Sequence, residues 1–174
     1  DLPLISDYDY DRLVERLKSL DPAAQVLNEM GPSRNDSPGS PVEHQAPMLS
    51  LDKAYDEASL IHWASKFRGD LVMTPKVDGV ACSIRYSTDG RLVVAATRGS
   101  GTVGEDITAN VRRIANVPQR IDSNGVSVEV RGEVYLPLST FQALAGDFAN
   151  PRNTAAGALK QKDANRSARV GLMF

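Results

Sequence analysis

The chain has 174 residues, of which 41% are hydrophobic and 24% are charged, and its formal net charge is −2. This length suits one domain of ordinary size, or one and a part, and it is enough to bury a core. A slightly acidic chain is not a basic module that holds nucleic acid by bulk electrostatics, so any such contact must be local or come from parts outside these residues. No apolar stretch approaches the length of a membrane span and no secretory signal is visible, so we expect no membrane partner.

The cysteine count bears on the cellular compartment. Cys82 is the only cysteine, so these residues hold no disulfide framework and no cysteine zinc site. We therefore expect a cytoplasmic protein in which Cys82 is a small buried hydrophobe.

The chain begins at Asp1 and stops at Phe174 in the apolar run "ARVGLMF", which is typical of a strand that is just starting. We therefore expect these residues to be a fragment of a longer protein. We also expect that protein to be a monomer.

The first predicted element is an amphipathic helix in "SDYDYDRLVERLKSL", with Ser6 as its N-cap and acidic residues in its first turns. Its apolar residues fall on one stripe: Tyr10, Leu13, Val14, Leu17 and Leu20. The following run "GPSRNDSPGSPVEHQAP" concentrates Gly, Pro and Ser. This composition predicts a linker over residues 31–47.

The remaining elements alternate between helices and strands. A second helix is predicted for residues 56–67, with apolar Leu60, Ile61, Trp63, Ala64 and Phe67. Strands are predicted at 71–76, 80–86, 91–97 and 126–136, with a hairpin turn at Asp89 and Gly90. Short helices are predicted in "SGTVGEDITANVRRI", "PLSTFQALAG" and "NPRNTAAGALKQ". Hairpins with interspersed helices indicate an α+β fold with mainly antiparallel sheet.

Lys76 stands in "MTPKVDGVACSIRY", after a proline and before an Asp-Gly pair. Taken alone, this is a turn with a solvated lysine. A nucleophilic lysine must be neutral, and a free lysine with a pKa of about 10.4 is neutral roughly one time in a thousand near pH 7.4. Desolvation or neighbouring cations reduce that cost, and Arg98 and Arg131 are the candidate cations.

Two further segments carry charged residues beside glycines. Arg98 stands at a strand end in "ATRGSGTVGED", before two glycines that let backbone approach a ligand. Glu133 ends "EVRGE" on an alternating strand. Taken alone, either residue is more typical of a charge that faces solvent.

Read together, five segments carry a resemblance: "PMLSLDKAY", "KVDG", "ATRGSGTVGEDITANVRRIANVP", "VEVRGEVYLP" and "FANPRNTAAGALKQ". In this order they resemble the adenylation domain of bacterial NAD-dependent DNA ligases, over nearly all of residues 47–163. The N-terminal "ISDYDYDRL" resembles the "DxxYD" segment of that family's small helical subdomain, which recognises the nicotinamide mononucleotide (NMN) half of NAD. The resemblance implies a nucleotidyltransferase fold in three parts. These are a partial helical NMN-recognition subdomain at 1–30, a linker at 31–47, and the N-terminal part of the nucleotidyltransferase domain at 48–174.

The resemblance also implies a reaction that serves DNA repair and replication. Lys76 would attack the α-phosphorus of NAD, expel NMN and hold AMP covalently, with Mg²⁺ assistance. The AMP would then pass to a 5'-phosphate at a nick in double-stranded DNA, where the adjacent 3'-hydroxyl displaces it.

Site residues follow from the same resemblance, position by position. Asp78 and Gly79 complete the lysine motif, with Asp78 ordering the site. Arg98 and Glu133 match contacts to the ribose and phosphate of the adenylate. The other matched positions are Ser50 and Leu51 at the adenosine pocket, Asp7, Tyr10 and Asp11 at NMN, and Arg152 and Lys160 at the nicked DNA. No metal ligand is expected in these residues, zinc belongs to regions absent from this chain, and His44 and His62 receive no role.

Three positions depart from the family pattern. Thr74 stands where an acidic residue usually contacts the adenine amino group, Ser100 replaces the aspartate of "TRGDG", and Lys160 stands where arginine is commoner. The later lysine motif, the oligonucleotide-binding fold, the zinc finger, the helix-hairpin-helix region and the upstream Tyr-His pair are absent. These residues alone are therefore not expected to ligate DNA. Two alternatives stay open: an ATP-dependent nucleotidyltransferase with a helical extension, and a non-catalytic nucleotide- or DNA-binding relative.

Overall fold

The computed structural model describes residues 5–27, 39–144, 149–168 and 170–174. The chain divides into two compact units, residues 1–36 and 37–174. Within the described ranges, no helix is both long and apolar enough to cross a membrane.

The first unit contains helix α1, Asp7–Leu20, followed by a short 3-10 helix, Gln25–Leu27. The Ser6 hydroxyl accepts a hydrogen bond from the Asp9 backbone N–H at 3.1 Å, so Ser6 is the predicted N-cap. The apolar stripe is not a buried face, since Tyr10, Leu13 and Leu20 are all exposed.

The described residues of the second unit form two antiparallel sheets. Strand β1, Pro41–Glu43, pairs with β4, Val103–Glu105. In the other sheet β2, Val80–Tyr86, lies between β3, Leu92–Thr97, and β5, Val128–Val134. The turn between β2 and β3 has Gly90 at φ 80°, which fits the predicted Asp-Gly hairpin.

In the part of this unit that the structure describes, the sheets are accompanied by helices α2, Glu57–Ala64; α3, Thr108–Val111; α4, Leu138–Ala143; α5, Pro151–Leu159; and α6, Ala164–Ala168. The core lies between the central sheet and α3 and α5, and its largest fully buried apolar side chains are Ile84, Ile107, Leu159, Val111 and Val134. The predicted α+β fold with antiparallel sheet is confirmed.

Two segments differ from their predictions. Residues 71–76 do not form the predicted strand, because a strand needs a partner and none of the described strands pairs with them. Residues 31–38 of the predicted linker lie outside the described residues. The rest of that run is built into the second unit, since 41–43 form β1 and the His44 backbone N–H donates to the Thr102 carbonyl at 2.9 Å.

Candidate active site

Gly79 and Glu133 lie side by side although 54 residues separate them. The Gly79 backbone N–H donates to a Glu133 carboxylate oxygen at 3.2 Å. The register of β2 against β5, with Ala81 opposite Glu133, brings the two residues together. The lysine motif and the "VRGE" strand therefore meet at the start of β2.

Asp78 forms an ion pair with Arg152, whose Nη1 lies 2.7 Å from the Asp78 Oδ1. Arg152 stands in the first turn of α5, where the Asn150 side chain caps the helix by accepting from the Asn153 N–H. Both paired side chains are more than half exposed, and an exposed pair of this kind is worth only ~0–1 kcal/mol. Arg152 can therefore leave the Asp78 carboxylate for a phosphate group at little cost in free energy.

Arg98 lies at the end of β3 and reaches the segment that contains Ser50. Its Nη1 donates to the Ser50 hydroxyl at 3.3 Å, and the Met48 N–H donates to the Gly101 carbonyl at 2.8 Å. The structure thus brings Arg98 and Ser50 together, with Leu51 exposed beside Ser50.

Lys76 is exposed, and among the described residues it has neither a hydrogen-bond nor an ion-pair partner. None of residues 49–78 is buried. The amine therefore lies on an exposed stretch of the chain, and the expected cations beside it stay a prediction.

Arg131 fastens the segment that precedes Ser50. Its guanidinium donates to the carbonyls of Ala46 at 2.6 Å and Pro47 at 2.9 Å, while its Nε donates to Glu129 at 3.0 Å. Burial alone would raise the pKa of Glu129, but hydrogen bonds from Arg131 and Ser83 outweigh it and lower that pKa. Arg131 thus ties strand β5 to residues 46 and 47.

Lys160 caps the C-terminal end of α5, eight residues after Arg152 and so about 12 Å along the helix axis. Its Nζ lies 3.2 Å from a carboxylate oxygen of Glu105, whose side chain is only 8% exposed. The two residues predicted to face DNA are therefore not adjacent, and each is held in an ion pair.

The residues predicted for NMN lie in the first turns of α1. Asp7, Tyr10 and Asp11 have i, i+3 and i+4 spacing, which places them on one helix face. Tyr10 is 52% exposed, whereas the side chains of Asp7 and Asp11 lie outside what the structure describes.

Cys82 and the metal-ligating residue types complete the chemistry of the described residues. Burial, with a smaller contribution from Glu133, raises the pKa of the Cys82 thiol to about 12, so this thiol is not a nucleophile near neutral pH. No group of three or more His, Cys, Asp or Glu side chains in the described ranges could hold a metal ion.

Sequence reasoning missed His44. Its Nε2 lies 3.1 Å from the Thr97 carbonyl and 3.2 Å from the Arg98 carbonyl. No spacing in the sequence indicates this contact, since more than 50 residues separate the partners.

Comparisons with known proteins connect this arrangement to one family. The family model for the NAD-dependent DNA ligase adenylation domain matches residues 38–174. The chain is 42% identical over 181 residues to a DNA ligase of Wolbachia pipientis subsp. Culex pipiens (strain wPip), covering 99% of this chain and 28% of that protein. It is 42% identical over 198 residues to a DNA ligase of Phenylobacterium zucineum (strain HLK1), covering 100% of this chain and 28% of that protein. The chain thus spans less than a third of the length of these relatives.

Proposed function

The chain belongs to the family of NAD-dependent DNA ligase adenylation domains, and from this premise we propose that Lys76 accepts the adenylyl group of NAD as the first step of DNA ligation. The observation that carries the proposal is the junction between Gly79 and Glu133, which joins the lysine motif to the strand that would contact the adenylate. The ion pair of Asp78 with Arg152 and the hydrogen bond of Arg98 to Ser50 also support it.

In the proposed step, the neutral Lys76 Nζ attacks the α-phosphorus of NAD. A nitrogen–phosphorus bond forms, the phosphorus–oxygen bond to the bridging oxygen breaks, and NMN leaves with that electron pair. The amine proton passes to solvent. Arg98 carries the positive charge that would neutralise the phosphate oxygens as the leaving group departs.

The exposure of Lys76 sets the order of events. A solvated ammonium is a poor nucleophile. Its neutral form becomes accessible only when water is excluded from the amine or a positive charge lies near it. We therefore infer that Lys76 loses its proton after the dinucleotide has bound and displaced water.

The other site residues are assigned by their positions. Tyr10 offers an exposed ring that would stack on the nicotinamide pyridinium, with Asp7 and Asp11 on the same helix face to match its charge. Ser50 and Leu51 would line the adenosine pocket. Arg152 and Lys160 would exchange their present carboxylate partners for phosphates of nicked double-stranded DNA.

The wider setting follows from the same proposal. Mg²⁺ would enter with the phosphates of the nucleotide, since the described residues form no three-ligand cluster, and no step above depends on it. We infer a monomeric cytoplasmic enzyme without a membrane partner, and the single buried thiol of Cys82 is consistent with a reducing compartment.

The proposal is tested by measuring formation of the lysyl-AMP adduct in the complete polypeptide that the gene encodes. Incubation with NAD is expected to add one adenylyl group, detected by intact mass, and Lys76→Ala is expected to abolish it. Because Lys76 is exposed and unpaired among the described residues, the circular dichroism spectrum and unfolding midpoint of that variant should not change.

Lys66→Ala, at another exposed lysine, is the matched control and should form the adduct at the wild-type rate. An unchanged yield in Lys76→Ala would remove Lys76 from the mechanism. A parallel incubation with ATP tests the donor, since an adduct from ATP alone would contradict the role given to Asp7, Tyr10 and Asp11.

A further inference from the structure

The imidazole of His44 lies against the backbone from which Arg98 projects. Its Nε2 is 3.1 Å from the Thr97 carbonyl oxygen and 3.2 Å from the Arg98 carbonyl oxygen. Carbonyl oxygens only accept hydrogen bonds, so Nε2 must carry the proton and donate to them. His44 is half-buried, and its contact with the Thr97 carbonyl is partly buried, whereas its contact with the Arg98 carbonyl is exposed.

The backbone after Arg98 forms a tight turn that contains two glycines in the left-handed conformation. Gly99 and Gly101 have φ values of 55° and 94°, and glycines carry the largest backbone entropy in an unfastened loop. The Gly101 N–H donates to the Arg98 carbonyl at 2.9 Å, closing a tight turn. The imidazole therefore adds a second donor to a carbonyl that already fixes the turn.

Gly104 makes room for this contact. A Cβ at position 104 would lie 3.0 Å from the His44 Nε2 and closer still to the Thr97 carbonyl. The chain thus keeps a side chain out of the space between β1, which ends just before His44, and the end of β3.

We propose that His44 is a positioning residue for adenylyl transfer, which acts by holding the backbone of Arg98 so that its guanidinium meets the phosphate groups of NAD. This inference rests on the proposed function for its catalytic consequence. Its structural part, the Nε2 hydrogen bond that fastens the 97–101 turn, stands independently of that function.

Two isosteric variants separate the hydrogen bond from general packing. In His44→Gln the side-chain amide nitrogen reaches the place of Nε2, whereas in His44→Asn it reaches only the place of Nδ1. We expect His44→Gln to form the lysyl adenylate within about threefold of the wild-type kcat/KM for NAD, and His44→Asn to lose about tenfold or more. His62→Ala, at an exposed histidine in α2, is the control and should match the wild type.

Coupling to Arg98 distinguishes positioning from a loss of fold. If His44 acts through Arg98, adding His44→Asn to Arg98→Ala should cause less than about a twofold further loss. A fully additive loss, or equal losses in the Gln and Asn variants, would overturn the proposal.

Hydrogen exchange supplies a measurement that does not need NAD. The N–H groups of Ser100 and Gly101 are hydrogen-bonded within the turn, to the carbonyls of Val103 and Arg98. Their exchange should be about tenfold faster in His44→Asn than in the wild type and near wild type in His44→Gln.

Adduct formation and hydrogen exchange together show whether the proposed function or the proposed role of His44 is wrong. If the wild type forms no adduct but the exchange pattern appears, the proposed function fails while the fastening role of His44 stands. If exchange at both amides is the same in all variants, the His44 proposal is overturned whatever the adduct yield.

Discussion

Gly79 occupies a position where any side chain would collide with backbone. A Cβ there would lie 2.2 Å from the Val134 carbonyl oxygen and 3.0 Å from the Cβ of Tyr135. Backbone cannot move aside as a flexible side chain can, so β2 and β5 would have to separate at this point. The hydrogen bond from the Gly79 N–H to Glu133 depends on the same close approach.

Gly79→Ala is therefore expected to destabilise the protein by about 1–3 kcal/mol, the usual cost of overpacking, and to slow adenylyl transfer. The matched control is Gly157→Ala, in the middle of α5, where an added Cβ meets nothing within 4 Å. That change should stabilise the protein by up to ~1 kcal/mol. Denaturant unfolding followed by circular dichroism measures both, and equal effects of the two substitutions would contradict the role of close approach at Gly79.

Strand β5 organises the site at the scale of an element. Glu129, Arg131 and Glu133 alternate along it, so period two places them on one face. Glu129 accepts from the Ser83 hydroxyl at 2.6 Å on the neighbouring strand, Arg131 holds the carbonyls of residues 46 and 47, and Glu133 binds Gly79. One strand thus fixes three other segments of the second unit.

Helices and hairpins could be predicted from the sequence where the residues that determine them are neighbours in the chain. The caps Ser6 and Asn150 and the Asp-Gly turn are formed by neighbouring residues, and α1, α5 and the β2–β3 hairpin follow within a few residues. The contacts of His44 and Arg131 are formed across more than 50 residues, and each ends on a backbone carbonyl. Every residue type offers such a carbonyl, so no sequence pattern marks these partners.

The Glu129 network predicts a specific dependence of stability on pH. Its pKa is lowered in the folded state from the usual 4.5, so its stabilising contribution is fully present above that value and is lost as pH falls through the folded-state pKa. At pH 7, Glu129→Gln should lower the free energy of unfolding by about 1–3 kcal/mol, the range for hydrogen bonds to a charged group. The difference from wild type should shrink below pH 4.5.

Glu43→Gln, at an exposed glutamate of β1, is the control and should change the free energy of unfolding by less than ~0.5 kcal/mol. Urea titrations at several pH values give these quantities. A difference between wild type and Glu129→Gln that stays constant down to pH 3 would rule out ionisation of Glu129 as its origin.

At the scale of the whole molecule, burial is distributed unevenly along the second unit. The core draws on residues of β2, β3 and β5 and of the helices after them, whereas residues 49–78 contribute no buried side chain. Several are large and apolar, including Val72 at 88% and Met73 at 97% exposed. The helix α2 within this stretch was predicted from its apolar residues, yet it buries none of them.

Helices α2 and α5 allow a direct test of what this unevenness does to local stability. They have eight and nine residues, and both begin with a capping side chain, from Asp56 and Asn150. Helix α5 buries Thr154, Ala155, Ala158 and Leu159, whereas α2 buries no residue. Since most helical stability in proteins comes from packing rather than from propensity, the backbone hydrogen bonds of α2 should open locally with a free energy near zero.

In the chain of residues 1–174, hydrogen exchange at the α2 amides is therefore expected to be at least about a hundredfold faster than at the α5 amides, after correction for intrinsic rates. Peptide-resolved mass spectrometry measures both helices in one experiment, with β2 as an internal reference for the most protected backbone. Protection of α2 equal to that of α5 would contradict the inference, because it would require burial of Leu60 and Ile61, which are 53% and 60% exposed.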